Sequence, residues 1–424
     1  MLDDWNASIN EAYRESDPAD MTAEDREIVR ELAKCIGELA QDPVNDERRE
    51  LWAAHNRLEQ KRPMITCDPE NSWGEIIPDS SLKCKSKIGR FWEFLFRREI
   101  FWGEEMNDDH VVERSFFIPF VYEDSGWGMT ETRIHGETEG AFTWLAPLKD
   151  YSMLHELKAP QLTVDFAKTD LFTELAHEVI GGSLEIKRKG VWWWTLGLTM
   201  NVAFLRGLEQ FMLDFYDYPD ELHSLMRFLS DSYMQKLDFL EENDLLTLNN
   251  DGSNCGSGGL GFSDELPAEG FDGRVRLCDL WGFSESQETV NVSSEFFEEF
   301  IFPYQLPMLE RFGLNSYGCC ESLNNRWDVV KRIPNLRRVA VPPWSEMNDM
   351  ADKLGKNYIY CHKPSPVPLA NPNMDKAALR TNIREAVRIT KNTNAEFIMQ
   401  DTHTLGGCVQ NVVDWCTIVR EEIG

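Results

Sequence analysis

The chain has 424 residues, 42% hydrophobic, 11% aromatic and 27% charged, enough for one large α/β domain or two medium ones. Its 43 Lys and Arg against 73 Asp and Glu leave a formal net charge of −30. A surface that negative repels phosphate backbones and anionic lipid, which excludes nucleic acid and membrane surfaces as partners. No apolar run reaches the ~18 residues of a bilayer span, and the Met-Leu-Asp-Asp-Trp start lacks a signal peptide's basic and apolar stretches. The expectation is a soluble cytoplasmic protein. Its ten cysteines, with no Cys-x-x-Cys pair, then read as free thiols, mostly small core residues.

The first 61 residues read as a helical extension. Thr22 caps a helix with Ile28, Leu32, Cys35, Ile36 and Leu39 on one stripe, and a second helix runs from about Glu47 to Gln60. Arg62-Pro63 ends it, because the residue before proline is pushed out of helical space. Strands are then predicted at Met64–Cys67, Phe116–Tyr122, Val191–Leu196, Leu245–Asn249, Leu314–Tyr317, Arg338–Val341, Tyr358–Cys361 and Glu396–Gln400, with Val275–Trp281 a further candidate. Amphipathic helices fall between them, at Ala203–Asp217, Asp220–Glu242, Glu295–Phe312, Glu346–Leu354, Asp375–Thr390 and Val409–Glu422. This alternation means parallel strands with crossover helices. Residues 62–424 are read as one (β/α)8 TIM barrel, an open doubly wound sheet being the alternative that periodicity leaves open. The turn-rich stretch 101–140 is read as an insertion, expected to form a hairpin.

In such a barrel the chemistry sits just after each strand. After Leu245–Asn249 comes Asn250-Asp251-Gly252-Ser253-Asn254-Cys255-Gly256, where Asp251 is the one acidic group. The glycines there let backbone approach a ligand, although a plain turn uses the same residues. Gly256-x-Gly258-x-x-Gly261 matches a dinucleotide spacing by letter, but no helix follows to seat a phosphate. Tyr317-Gly318-Cys319-Cys320-Glu321 follows its strand directly, and alternation would turn Tyr317, Cys319 and Glu321 to one face and Cys320 to the other. A thiolate with a carboxylate or imidazole suits zinc, and a helix at Ser322–Ile333 would present its positive end to them. His403, after the last strand, is the candidate third ligand, with Cys361-His362 competing. Trp192-Trp193-Trp194 reads as barrel wall, with Trp193 and Asn249 the candidates to contact a cofactor.

At these residues the chain resembles the uroporphyrinogen decarboxylase superfamily, which includes cobalamin-dependent methyltransferases. The segments that carry the resemblance are Gly207–Pro219, Ser293–Tyr304 and Tyr317-Gly318-Cys319, the last at the place of a His-x-Cys zinc pair. It implies a methyltransferase moving a methyl group between a small molecule and a corrinoid or a thiol, with Cys319 at a zinc-ligand position and His403 a substituted ligand; Glu321 is added as a third ligand from its place beside Cys319. Asp251, Tyr317 and Glu321 would be its catalytic residues, and the corrinoid would ride on a partner protein, a homodimer being one assembly the reading allows. Departures are visible: Tyr317 stands where the family has histidine, and Asp68 and Glu70 follow the first strand where the decarboxylases carry an arginine loop. The alternatives are a metal-free decarboxylase or lyase using Asp251, or a non-catalytic tetrapyrrole-binding barrel.

Overall fold

The protein is described here by a computed structural model covering residues 2–135 and 142–424. Its strands are β1 (Met64–Cys67), β2 (Ser115–Pro119), β3 (Tyr122–Asp124), β4 (Thr132–His135), β5 (Phe142–Leu145), β6 (Leu162–Val164), β7 (Glu185–Lys189), β8 (Trp281–Ser284), β9 (Leu314–Tyr317), β10 (Leu336–Val341), β11 (Ile359–His362) and β12 (Asn394–Met399). Six of them form one sheet in the order β1-β12-β11-β10-β9-β8, every neighbouring pair parallel. The first and last strands are thus partners, with Met64 opposite Glu396 and Cys67 opposite Met399. Helices Phe302–Leu309, Met347–Leu354 and Lys376–Thr390 make crossovers between successive strands, as parallel pairing requires. β12 is buried at every position, the pattern of a strand covered on both faces. β2 and β7 form a separate parallel pair, while β3–β6 and β4–β5 pair antiparallel.

Several expected elements fall where the sequence places them, β1 and β9 to the residue. Others move for identifiable reasons. The apolar run Val191–Leu196 is not a strand; the strand is the more polar β7 just before it. Leu245–Asn249 joins no ladder, and side chains hold it instead: Trp192 Nε1 donates to the Leu245 carbonyl at 2.9 Å, and Asn249 exchanges two bonds with the Trp281 backbone. The helix expected over Ala203–Asp217 breaks at Gly207, whose φ is +88°, into Thr199–Arg206 and Leu208–Asp217. Glu295–Phe312 likewise splits at Ile301, just before Pro303, which has no N–H to give. Only Trp327–Val330 of the helix expected over Ser322–Ile333 is α-helical, so no helix N-terminus faces Cys319. Within 101–140, helix Lys87–Glu105 extends to 105, and the hairpin is β4–β5, its connecting residues 136–141 lying outside the described ones.

Two large apolar clusters position the strand ends. Ala23–Leu39, with Thr22 and Asp25 in a reciprocal capping box, packs Val29, Ala33 and Ile36 with Ile88, Trp92 and Phe96 of Lys87–Glu105. The C-terminal helix Gln410–Ile423 buries Val412, Trp415 and Cys416 in the same cluster as Ile65, Cys67, Phe397 and Met399 of β1 and β12. Each such side chain contributes about 1.5–3 kcal/mol. Near the strand starts, a fully buried Glu396 accepts from Arg338 Nε at 2.8 Å, Arg338 Nη2 at 3.1 Å and the Gly259 amide at 3.1 Å, and His55 Nε2 lies 3.1 Å away. No helix among the described residues is long and apolar enough to cross a membrane.

Candidate functional site

The loops leaving β1, β9, β11 and β12 bring together a small polar cluster. Gly318, with φ +92°, turns the chain sharply after β9 and sets Cys319 into the interior. Lys363, the first residue past β11, is also buried, and its Nζ lies 3.7 Å from Cys319 Sγ. Cys320 Sγ is 3.7 Å from Cys319 Sγ and donates to Asp401 Oδ2 at 3.5 Å, while Lys363 Nζ stands 3.9 Å from the same carboxylate. Asp401 itself sits at φ +60°, an uncommon conformation for a side-chain-bearing residue. Its amide donates to Glu70 Oε2 at 2.8 Å, which ties the loop after β1 into the group.

The electrostatics follow from burial and contact. The Cys320 contact, opposed by burial and helped by the Lys363 charge, holds the Cys319 thiol below its ordinary range. The same contact and burial push the Cys320 thiol up, so Cys319 is the member of the pair that ionises more readily. Burial works against the Lys363 ammonium, but Cys319 and Asp401 keep it charged. A thiolate beside an ammonium, out of water, is an activated nucleophile.

The sequence-predicted residues do not assemble as one group. Tyr317 points away from the sulfurs, its hydroxyl donating to Gln305 Oε1 at 2.8 Å and lying 3.3 Å from Ser286 Oγ. The positive φ of Gly318 breaks the alternation that would have put Tyr317, Cys319 and Glu321 on one face. Glu321 fixes the turn, accepting from the Ser286 amide at 2.8 Å and the Cys319 amide at 2.9 Å. His403 is exposed, with Nδ1 3.4 Å from Asn71 Nδ2. Asp401, two residues earlier, is what reaches the sulfurs. Among the described residues no three His, Cys, Asp or Glu side chains form a group able to hold a metal. Cys319, Glu321 and His403 therefore do not fit a shared zinc ion. The competitor His362 is buried against Phe397, and burial lowers its pKa to about 4.

Two cavities lie among the neighbouring loops, the smaller reaching the cluster through Glu70. One of about 300 Å3 is lined by Thr66, Asp68, Glu70, Trp73, Trp102 and Gln400. A larger one, about 500 Å3, is walled by Phe117, Trp193 and Trp194 with Glu113 and Lys189. Gly252, Ser253 and Asn254 line both, and Ser257, further along that loop, donates to the Gly318 carbonyl at 3.0 Å. The glycine-rich loop thus borders the ligand space and also touches the Cys319 turn. Asp251 lies behind it, paired with Lys189 at 2.7 Å. Burial opposes its ionisation, yet Lys189 holds it below the usual carboxylate range. Trp193 faces the larger cavity, whereas both side-chain polar atoms of Asn249 are engaged with Trp281.

Lys363 and Glu70 are the residues that sequence reasoning did not assign a role. Burial, with the charges of Asp68 and Asp401, raises the Glu70 pKa to about 8. The unfolded chain releases this proton near pH 4.5, before the folded protein does, so stability drains as pH rises from about 4.5 to about 8. Glu70→Gln is accordingly expected to melt above the wild type at pH 8 and level with it at pH 4.5 in thermal denaturation. A variant that gains nothing at pH 8 would show that Glu70 is ionised freely.

Fold and site together define a mixed α/β protein with a parallel sheet whose C-terminal strand ends carry a buried cysteine–lysine pair. No protein-family model matches the chain, and no curated protein matches its sequence. Among solved structures, a methyltransferase from Methanosarcina mazei is similar at 11% identity and a TM-score of 0.49, covering 88% of this chain and 98% of its own. At that score the likeness assigns no activity to this chain.

Proposed function

We propose that this protein is a (β/α)8 barrel methyltransferase in which the Cys319 thiolate takes a methyl group from a small molecule. Barrel closure is supported at both gaps in the sheet. The Asp109 amide donates to the Ile65 carbonyl at 2.8 Å, just ahead of β2, and the Leu196 amide to the Phe283 carbonyl at 2.8 Å, just after β7. With β2 and β7 inserted there, eight strands would complete the ring. The observation that carries the functional reading is the Cys319–Lys363 contact of 3.7 Å at the strand ends. Sulfur's lone pair would form the new S–C bond while the old bond to carbon breaks, its electron pair staying on the donor heteroatom. Lys363 supplies the positive charge that the sequence reading had sought from zinc.

Asp68 on the cavity wall is the wrong charge for a polycarboxylated tetrapyrrole, which weighs against porphyrinogen decarboxylation. The cavities suit a small substrate, not a corrinoid ring, which in this reading stays on a partner protein. The raised Glu70 favours one second reading, a lyase with Glu70 as its acid–base group.

The test is to incubate the protein with methylcobalamin, and separately with methoxy and methylammonium donors, and map methylated cysteines by peptide mass. S-methylation confined to Cys319 and lost in Cys319→Ser supports transfer. Absence of methylation with every donor, or equal labelling of other cysteines, overturns it.

A further inference from the structure

We propose that the larger cavity binds a small methylated ammonium cation carrying an oxygen acceptor. Its lining includes the rings of Phe117, Trp193 and Trp194, and aromatic faces attract cations through their quadrupoles. Rings in both cavities already hold protein cations this way: Lys189 Nζ lies 4.3 Å from the Phe117 centroid, and Arg98 lies 4.9 Å from that of Trp73.

Charge points in the same direction. Asp251 neutralises Lys189 at 2.7 Å, and Asp68 and Glu99 stand beside Arg98. Glu113 feels the charges of Lys189 and Arg49 only from a distance, and burial with the Asp251 charge raises its pKa. Among the described residues it meets no cation at ion-pair distance, and its one hydrogen bond is from the Gly252 amide at 3.3 Å. A neutral aromatic ligand would cover the rings but leave the Glu113 carboxyl, whose ionisation burial and Asp251 oppose, as it is. A cation satisfies rings and carboxylate together. Methyl groups on nitrogen spread its charge over carbon and remove the need for acceptors, which ring faces do not offer. The buried Trp194 Nε1 has no partner, leaving one donor for an oxygen on the ligand.

As the identity of the methyl donor, this cation rests on the transfer reading above; as a bound ligand it does not. The experiment therefore reads binding alone, by calorimetry on the full chain with choline and its neutral isostere 3,3-dimethyl-1-butanol. Choline is expected to bind about tenfold tighter than the isostere. Trp193→Leu and Glu113→Gln are each expected to weaken choline by a similar factor, with isostere binding by Glu113→Gln little changed. Equal or tighter binding of the isostere, or no binding of choline, overturns the proposal while leaving the Cys319 methylation test untouched.

Discussion

Glu396→Gln is expected to lower the unfolding free energy by about 3–5 kcal/mol, the cost of leaving a buried charge without its partner. Arg338 would keep a guanidinium at zero exposure with no anion to face, since His55 and Asn56 offer it no charge. Burial alone would raise the Glu396 pKa, but Arg338 and His55 overcome it and hold the carboxyl at about 2. A folded pKa below the unfolded 4.5 means this stabilisation is complete above about pH 4.5 and lost as pH falls towards 2. Urea midpoints at pH 7 and pH 3 measure both effects: the gap between wild type and variant should narrow in acid. A loss under ~1 kcal/mol at pH 7 would mean that the pair is dispensable.

Lys363→Met is expected to slow alkylation of Cys319 by iodoacetamide about tenfold or more at pH 7. An opposite charge within ~4–6 Å moves a pKa by roughly 1–3 units, and the thiolate fraction follows it. Near pH 10 the two proteins should react at closer rates, because solution base then does what the ammonium did. That convergence separates an electrostatic role from a disturbed fold, which would alter reactivity at every pH. Equal rates at pH 7 would remove Lys363 from the site and the nucleophile with it.

Much of the sheet was readable because strand boundaries coincide with chain-breaking residues. Leu314–Tyr317 lies between Gly313 and Gly318, and Met64–Cys67 follows Pro63. Val191–Leu196 misled because apolar runs serve cavity walls as readily as ladders, while β7 reads as a polar surface segment. The site was harder. Cys319 could be picked out from its place after a strand, but its partners stand 44 and 82 positions away, after strands that do not adjoin β9, and only the loops folding over the sheet's C-terminal end bring them together. A lone lysine after Cys361-His362 reads as solvated until its burial is known. The Tyr-Gly-Cys-Cys-Glu reading assumed extended backbone, and one left-handed glycine sends its side chains different ways.

The pairing of β1 with β12 has a bearing on synthesis. Met64 leaves the ribosome early but has to wait for Glu396 before its outer edge finds a hydrogen-bonding mate. Until then a bare, wholly apolar or weakly polar strand is a docking edge for other nascent chains. Truncations that remove Asn394–Met399 would prolong that interval indefinitely, leaving two open edges at once, on β1 and on β11. Such fragments are the ones to watch for in inclusion bodies.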